Sequence, residues 1–217
     1  MSLFYQHPIN AITKLGIWKI EEPEGFFLKK VPLQREITHP HKRLQHLAGR
    51  YLLQYLFPDF PYEEILIADT RKPYLPYEQY HFSISHCGDY AAAIVSSEQR
   101  VGIDIEMVSE RVSKISHKFL HTTESDFIRK QSNEHDSHPD HQTTRQLTVA
   151  WSAKEAVFKW WGWGGIDFSE HILLEPFSPG NNGLINTVFL RESEVFPLQL
   201  QYKIFHALCL VWLASDP

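Results

Sequence analysis

The fold is organised around the stretch Val101-Gly102-Ile103-Asp104-Ile105-Glu106, in which apolar residues alternate with a glycine and two acids. A period of two is typical of a β-strand with one buried face. Asp104 and Glu106 would project from the other face, about 7 Å apart along the strand. Gly102 precedes them there and lets a ligand approach the backbone. Because neighbouring carboxylates repel each other unless a cation lies between them, the stretch predicts either a cation site or the solvated face of an edge strand.

The composition limits the classes of function. The chain has 217 residues, 43% of them hydrophobic, which is enough for one large domain or two small lobes. A net charge of −5 argues against a nucleic-acid binder with a basic surface. Two cysteines are too few for a disulfide framework and favour a reducing compartment. Since the sequence shows neither a signal peptide nor a run of about 20 apolar residues, we expect a cytoplasmic protein that does not bind membranes.

The first half is predicted to contain one long helix and several strands. The helix places Arg43 and Arg50 seven residues apart on one face, beside its apolar stripe, which alone indicates a solvated flank. The hairpin and the acidic strand would make three consecutive antiparallel strands. The predicted elements are a strand at 15–20, an acidic turn at 21–25, the helix at 41–57, a strand at 65–67, a loop at 69–76, and a hairpin of 81–85 and 90–95 around a turn at 86–89.

The second half reads as helices followed by strands. The segment 131–145 is polar and carries His135, His138 and His141, whose spacing is compatible with a metal site. It lacks apolar anchors, which favours a mobile loop instead. The predicted elements are helices at 112–120, 124–130 and 147–161, a glycine turn at 162–165, and strands at 171–175, 184–190, 198–205 and 207–213.

A second cluster of charged residues lies on the last of these helices, in Trp151-Ser152-Ala153-Lys154-Glu155-Ala156-Val157-Phe158-Lys159. Glu155 and Lys159 are one turn apart, as in an ordinary ion pair worth about 0.3–0.5 kcal/mol. The surrounding aromatic residues indicate a position near buried surface instead. Asp104, Glu106 and Glu155 would supply three carboxylates without His or Cys, a donor set suited to Mg²⁺. Because Mg²⁺ keeps positions for substrate phosphates, this set indicates phosphoryl-type chemistry on a nucleotide-like substrate.

Three segments together resemble the 4′-phosphopantetheinyl transferases, and in particular their two-lobed, Sfp-like branch. They are Phe82–Tyr90, which reads FSISHCGDY, then Val101–Glu106 and Trp151–Lys159, in the order and approximate spacing of that family. Leu47–Arg50 and Lys72–Leu75 add weaker matches to the early motifs of the family.

The resemblance implies an α+β fold of two similar α/β lobes with antiparallel sheets, related by a pseudo-twofold. The N-terminal lobe would be 1–107 and the C-terminal lobe 108–217, with the active site at their interface. The implied activity is transfer of 4′-phosphopantetheine from coenzyme A to a serine of an apo acyl or peptidyl carrier protein, with release of 3′,5′-ADP. The enzyme would be of the holo-[acyl-carrier-protein] synthase type. It would act as a monomer, since one chain would complete the site.

The resemblance also implies roles for the acidic residues and for one lysine. Asp104, Glu106 and Glu155 would hold Mg²⁺ against the pyrophosphate. Glu155 would also take the proton from the carrier serine, directly or through a water molecule. Lys159 would stabilise or protonate the leaving phosphate.

The family's coenzyme A contacts correspond here to Arg50, Lys72 and His86. Lys154 matches the motif lysine and is grouped with these contacts, although a helix places it about 100° from Glu155. Arg71 stands where the family usually has a glycine, and Cys87 where a serine or another polar residue is commoner. Gly162, Gly164 and Gly165, which follow the helix at 147–161, would shape the groove that receives the carrier protein.

Two other functions remain open at this point. A non-catalytic module could bind coenzyme A or a carrier protein, but such a module has no need for three carboxylates. The other alternative is a Mg²⁺-dependent nucleotide hydrolase of unrelated fold, which would release product without any carrier protein.

Overall fold

The computed structural model describes residues 2–31, 33, 36–134, 139–178 and 180–215, and the side chains of 131–134 and 139–141 are outside the description. The chain divides into two compact units. The first unit is Met1–Ile105 with Ala214–Pro217, and the second is Glu106–Leu213. No helix in these described ranges is long and apolar enough to cross a membrane.

Seven strands begin in the part of the first unit that the structure describes. They are β1 (Leu3–Pro8), β2 (Thr13–Lys19), β3 (Leu66–Ile67), β4 (Pro73–Tyr74), β5 (His81–Cys87), β6 (Tyr90–Ser96) and β7 (Arg100–Met107). The predicted hairpin of β5 and β6 is confirmed, with Cys87 opposite Tyr90. The prediction of three consecutive antiparallel strands is wrong, because in the described part of the chain the sheet order is β1-β2-β6-β5. β2 lies beside β6, where Ile17 pairs with Ala92 and both residues are fully buried.

Two helices cover this sheet. The predicted long helix is confirmed as α2 (Pro40–Leu56), preceded by the short α1 (Glu24–Leu28), which lies partly in the predicted turn. Proline at the first position suits a helix start because its missing N–H has no partner there in any case. The apolar face of α2 packs on the sheet, and Gly49 lets the helix approach Ile84 so closely that a Cβ would lie 2.6 Å from its Cγ2.

In the described part of the second unit, four α-helices precede the strands: α3 (Arg111–Ile115), α4 (Thr122–Glu134), α5 (Pro139–Trp161) and α6 (Phe168–His171). The predicted mobile loop at 131–145 is wrong wherever the backbone is described, since 131–134 continue α4 and 139–145 open α5. Polar contacts hold the start of α5 in place of apolar ones: Arg145 donates to Asn181 Oδ1 at 2.9 Å, and Gln146 donates to the Phe177 carbonyl at 2.8 Å. His135, His138 and the side chain of His141 lie outside the described residues.

Four strands then pair in antiparallel fashion in the order β11-β10-β9-β8. Their bounds are β8 (Ile172–Leu174), β9 (Asn182–Arg191), β10 (Glu194–Phe205) and β11 (Leu208–Ser215), close to the four predicted strands. Buried residues of α5, among them Ala153, Val157 and Trp160, share one core with this sheet. The α+β class with antiparallel sheets is therefore confirmed.

Candidate active site

The acidic strand β7 is more deeply buried than its alternation predicts. Residues 101–105 are all buried, so both faces of the strand are covered as far as Ile105. Asp104 is 5% exposed, which excludes the solvated-face interpretation for this carboxylate. Glu106 is half-buried, and its Oε1 accepts a hydrogen bond from the Met107 N–H at 3.0 Å.

Two serines of β5 contact this acidic strand. Ser83 and Ser85 are two residues apart, so they share a face, and both are buried. The Ser83 hydroxyl accepts a hydrogen bond from the Ile103 N–H at 3.2 Å. The Ser85 hydroxyl donates to Asp104 Oδ1 at 2.8 Å. The segments Phe82–Tyr90 and Val101–Glu106, which carry the family resemblance in the first half, are therefore in contact through the serine side chains. The sequence interpretation missed this contact.

The turn after β5 is fixed by helix α2. Gly88 has a φ of +52°, as required at the first central position of one common two-residue hairpin turn. Gln45 donates to the Gly88 carbonyl at 2.8 Å, and His41 Nε2 lies 3.0 Å from Asp89 Oδ1. His86, one of the predicted coenzyme A contacts, is exposed on the strand that leads into this turn.

Arg50, another predicted coenzyme A contact, is 4% exposed, so the interpretation of a solvated helix flank is wrong for it. Its positive charge lies near Tyr62, which is itself buried. Burial raises the pKa of the Tyr62 phenol, and the Arg50 guanidinium opposes that rise. Arg43, on the same face, is held by Glu24 through two hydrogen bonds of 2.8 and 2.9 Å.

The loop before β4 places Lys72. Arg71 has a φ of +67°, in the left-handed region that favours glycine, so the chain follows a glycine-type path although it carries a side chain. The turn is closed by hydrogen bonds from Arg71 N–H to the Ala68 carbonyl and from Ala68 N–H to the Lys72 carbonyl. Burial, assisted by the charge of Arg100, lowers the pKa of Lys72 to about 8. Lys72 is therefore mostly protonated at neutral pH, and it loses its proton as the pH rises through about 8.

Glu155 and Lys159 lie one turn apart on α5, as predicted. Lys159 Nζ is 4.0 Å from Glu155 Oε2, and each side chain is 25% exposed. At this distance and exposure the pair adds little stability. Both groups remain accessible enough to contact a substrate.

Lys154, the next residue before Glu155, does not fit a contact with coenzyme A, which corrects that assignment. It is fully buried, and its ammonium donates three hydrogen bonds: to Glu124 Oε2 at 2.7 Å, to the Phe168 carbonyl at 2.9 Å and to the Ile172 carbonyl at 2.7 Å. An ammonium has three protons, so all of them are in use within the second unit. Lys154 therefore anchors α5 to its own core.

The partner of Lys154 is a residue to which the sequence interpretation gave no site role. Glu124 is fully buried and also accepts hydrogen bonds from the backbone N–H groups of His121 and Leu174, both at 2.7 Å. The bond to His121 is of the capping-box kind, in which an acid in the first turn of a helix reaches back to the residue that opens it. Glu124 thus joins α4, α5 and β8.

The predicted Mg²⁺ site stays a prediction. Within the described ranges, no three or more His, Cys, Asp or Glu side chains are grouped so that they could hold a metal ion. The donor chemistry of Asp104, Glu106 and Glu155 does fit Mg²⁺, because all three offer carboxylate oxygens and each side chain is at least partly shielded from water.

The turn after α5 contains three glycines with positive φ. Gly162, Gly164 and Gly165 have φ values of 79°, 70° and 66°. Gly162 ends the helix with a hydrogen bond to the Phe158 carbonyl, and Arg191 holds the Gly165 carbonyl at 2.9 Å. Trp163, between these glycines, is 71% exposed. The predicted role of the turn in receiving a carrier protein stays a prediction.

Similarity to known proteins covers the second half of the chain, from the start of β7 onward. Residues 100–207 match the family model of the 4′-phosphopantetheinyl transferase superfamily. Enterobactin synthase component D of Escherichia coli K12 is 34% identical over 119 residues, 54% of each chain. The 4′-phosphopantetheinyl transferase AcpT of E. coli O157:H7 is 31% identical over 129 residues, 58% of this chain and 62% of the relative. The 4′-phosphopantetheinyl transferase gsp of Aneurinibacillus migulanus is 33% identical over 115 residues, 52% of this chain and 44% of the relative.

The chain spans about half the length of the curated relatives it matches. The matched family region includes β7, α4 and α5, and therefore Asp104, Glu106, Glu124 and Glu155. The chain belongs to the 4′-phosphopantetheinyl transferase superfamily.

Proposed function

We propose that the protein transfers 4′-phosphopantetheine from coenzyme A to a serine of an apo acyl or peptidyl carrier protein, in a Mg²⁺-dependent reaction. The main support is that the family match contains both acidic segments, β7 with Asp104 and Glu106, and α5 with Glu155 and Lys159. In the reaction the serine oxygen bonds to the phosphorus that carries pantetheine. The pyrophosphate P–O bond breaks, and 3′,5′-ADP leaves.

Asp104, Glu106 and Glu155 would hold the metal. When bound, Mg²⁺ would neutralise charge on the pyrophosphate and orient the phosphate that is attacked. The Glu155 carboxylate takes the proton of the serine hydroxyl, directly or through a water molecule. Such a general base contributes about 10²–10⁴-fold to the rate. The Lys159 ammonium, one turn further along α5, stabilises the negative charge on the leaving 3′,5′-ADP or gives it a proton.

Arg50, Lys72 and His86 would bind the phosphate-bearing adenylate end of coenzyme A. All three belong to the first unit, on α2, on the loop before β4 and on β5. Lys72 is protonated below its pKa of about 8, so at neutral pH it carries the charge that a phosphate contact needs. Lys154 has no part in this proposal, because its ammonium is engaged in the core.

The finer assignments belong to the same proposal. We place the protein in the Sfp-like branch and among enzymes of the holo-[acyl-carrier-protein] synthase type, acting as a cytoplasmic monomer. Motif order and spacing support the branch, and the small number of cysteines, two, supports a reducing compartment. A sedimentation mass of an obligate trimer would contradict the monomer.

Intact-protein mass spectrometry tests the activity. The purified protein is incubated with coenzyme A, Mg²⁺ and each of several apo carrier proteins, and the expected result is a gain of one phosphopantetheine on at least one carrier. The matched controls omit Mg²⁺ by adding a chelator, or replace the enzyme by its Glu155→Gln variant. No gain with any carrier at saturating metal and coenzyme A would refute the proposal.

Two results from other measurements, calorimetry of coenzyme A binding and analysis of the small-molecule products, would favour the other functions. Coenzyme A binding that is independent of Mg²⁺ and without turnover would indicate a binding module. Release of an ADP-type product in the absence of carrier protein would indicate a hydrolase.

A further inference from the structure

The hydroxyl of Ser85 is placed where it can fix the orientation of the Asp104 carboxylate. Ser85 is 7% exposed and Asp104 is 5% exposed, and the hydroxyl donates to Oδ1 at 2.8 Å. Both residues lie in the first unit, on neighbouring segments that Ser83 also joins through the Ile103 N–H. The contact is therefore part of a two-point attachment between β5 and β7.

A carboxylate can rotate about its Cβ–Cγ bond, and that rotation decides which way its second oxygen points. A donor bound to Oδ1 restricts the rotation, because turning the carboxylate would leave a buried polar atom without its hydrogen bond. Hydrogen bonds of this kind are the usual way in which proteins orient carboxylates that ligate a metal.

We propose that Ser85 is a positioning residue that orients the Asp104 carboxylate for the divalent cation. This inference rests on the proposed function, since it concerns the same metal. Ser85 touches neither the cation nor the reacting atoms in this account. Its effect is transmitted by the hydrogen bond to Oδ1.

Ser83 supplies a matched control. It lies on the same face of the same strand, is 4% exposed, and its hydroxyl also contacts the acidic strand. Its partner is a backbone N–H and not a carboxylate, so Ser83→Ala removes the same atom from a similar environment and leaves the Ser85–Asp104 hydrogen bond in place. Ser85→Thr keeps a hydroxyl, and threonine is well suited to a strand.

The experiment measures Mg²⁺ affinity by calorimetry, with Mg²⁺ titrated into protein saturated with coenzyme A and without carrier protein. Ser85→Ala should weaken Mg²⁺ binding by about 10–100-fold, the usual effect of losing such a supporting contact. Ser83→Ala and Ser85→Thr should stay close to the wild type in Mg²⁺ affinity. Thermal unfolding of each variant without metal shows that the protein is folded and separates a loss of stability from a loss of affinity.

The possible results separate this inference from the proposed function. If the wild type binds Mg²⁺ and modifies a carrier while Ser85→Ala binds the ion with unchanged affinity, the positioning role is refuted and the transferase proposal stands. Equal losses in Ser83→Ala and Ser85→Ala would also refute it, because the effect would then come from the strand contact as a whole. If the wild type neither binds Mg²⁺ nor modifies any carrier, the proposed function fails, and the inference fails with it.

Discussion

Replacing Glu124 by glutamine should cost the second unit much of its stability. The carboxylate and the Lys154 ammonium are 1% and 0% exposed, and 2.7 Å separates their charged atoms. Glutamine has nearly the same shape, so the change removes a charge without leaving a cavity. The Lys154 ammonium then stays buried without a counter-charge, a situation that typically costs about 3–5 kcal/mol.

The hydrogen bonds around Glu124 explain why glutamine cannot compensate. The carboxylate accepts three bonds, from His121 N–H and Lys154 at Oε2 and from Leu174 N–H at Oε1. The amide of glutamine offers one oxygen and one NH₂ group, so on one side donors would face donors. Lys154→Met should be costly as well, because it leaves the Glu124 carboxylate buried without its cation.

The assay is urea unfolding monitored by tryptophan fluorescence, since α5 carries Trp151, Trp160 and Trp161. A double-mutant cycle of Glu124→Gln and Lys154→Met isolates the coupling. The double variant should be more stable than either single variant, because it buries no charge at this point. Lys159→Met is the control on the same helix. It breaks a 4.0 Å pair that is 25% exposed and should change the free energy of unfolding by less than about 0.5 kcal/mol.

The pH dependence of the free energy of unfolding gives a second test, for which the direction of the change can be predicted. Burial lowers the pKa of Lys154, and the charge of Glu124 opposes that shift, so the pKa in Glu124→Gln should lie lower still. Between that lowered pKa and 10.5, the ordinary lysine pKa, the unfolded chain binds more protons than the folded protein. The stability of the variant should therefore rise with pH relative to the wild type. Single variants within about 1 kcal/mol of the wild type, or additive effects in the cycle, would refute the structural role of the pair.

Three further predictions concern two residues of the proposed site and the loop that carries Lys72. Glu155→Gln should lower kcat by about 10²–10⁴-fold with an unchanged KM for coenzyme A in steady-state kinetics, and a wild-type rate would show that the assigned base is wrong. The KM for coenzyme A should rise as pH increases through about 8, where Lys72 loses its charge, and Lys72→Arg should abolish that rise because guanidinium stays protonated. The same pH profile in both proteins would contradict a Lys72 contact. Arg71→Gly should raise the free energy of unfolding, measured with urea, by up to about 1 kcal/mol, because glycine adopts a φ of +67° without strain. Arg71→Ala keeps a Cβ and should not raise it. Equal effects of the two substitutions would exclude relief of strain.

The sequence predicted those helices and strands whose residue pattern lies within a single helix or hairpin. The three- and four-residue spacing at 41–57 predicted α2, and the Gly88-Asp89 turn between apolar runs predicted the hairpin. The five-residue α1 is too short to show a period. The place of β2 beside β6 depends on pairing between distant segments. The start of α5 was missed because hydrogen bonds of Arg145 and Gln146 hold it, and polar contacts leave no hydrophobic period.

The candidate site shows the same division. The oxygen-donor character of Asp104, Glu106 and Glu155 follows from residue type, but their burial and hydrogen-bond partners could not be predicted. Ser85 did carry a signal, because Ser83 and Ser85 alternate with Phe82 and Ile84 and give one face of a strand next to a glycine turn a polar character. The structure shows that both serines are buried. Glu124 carried only the signal of a helix start, because its ion pair joins residues that are 30 positions apart.

Adjacent residues of the α5 motif serve different ends because a helix turns by about 100° per residue. Lys154 points into the core and fixes α5 against α4, α6 and β8, whereas Glu155 keeps a quarter of its side chain in solvent. The buried lysine of the motif therefore fixes the position of the helix, and the accessible glutamate beside it is the group to which the proposed function assigns the chemistry. The Glu124–Lys154 pair should then affect turnover through the placement of Glu155. The double variant Glu124→Gln/Lys154→Met should regain stability without regaining this anchor. Its free energy of unfolding should therefore exceed that of either single variant, while its rate of phosphopantetheine transfer should stay below that of the wild type.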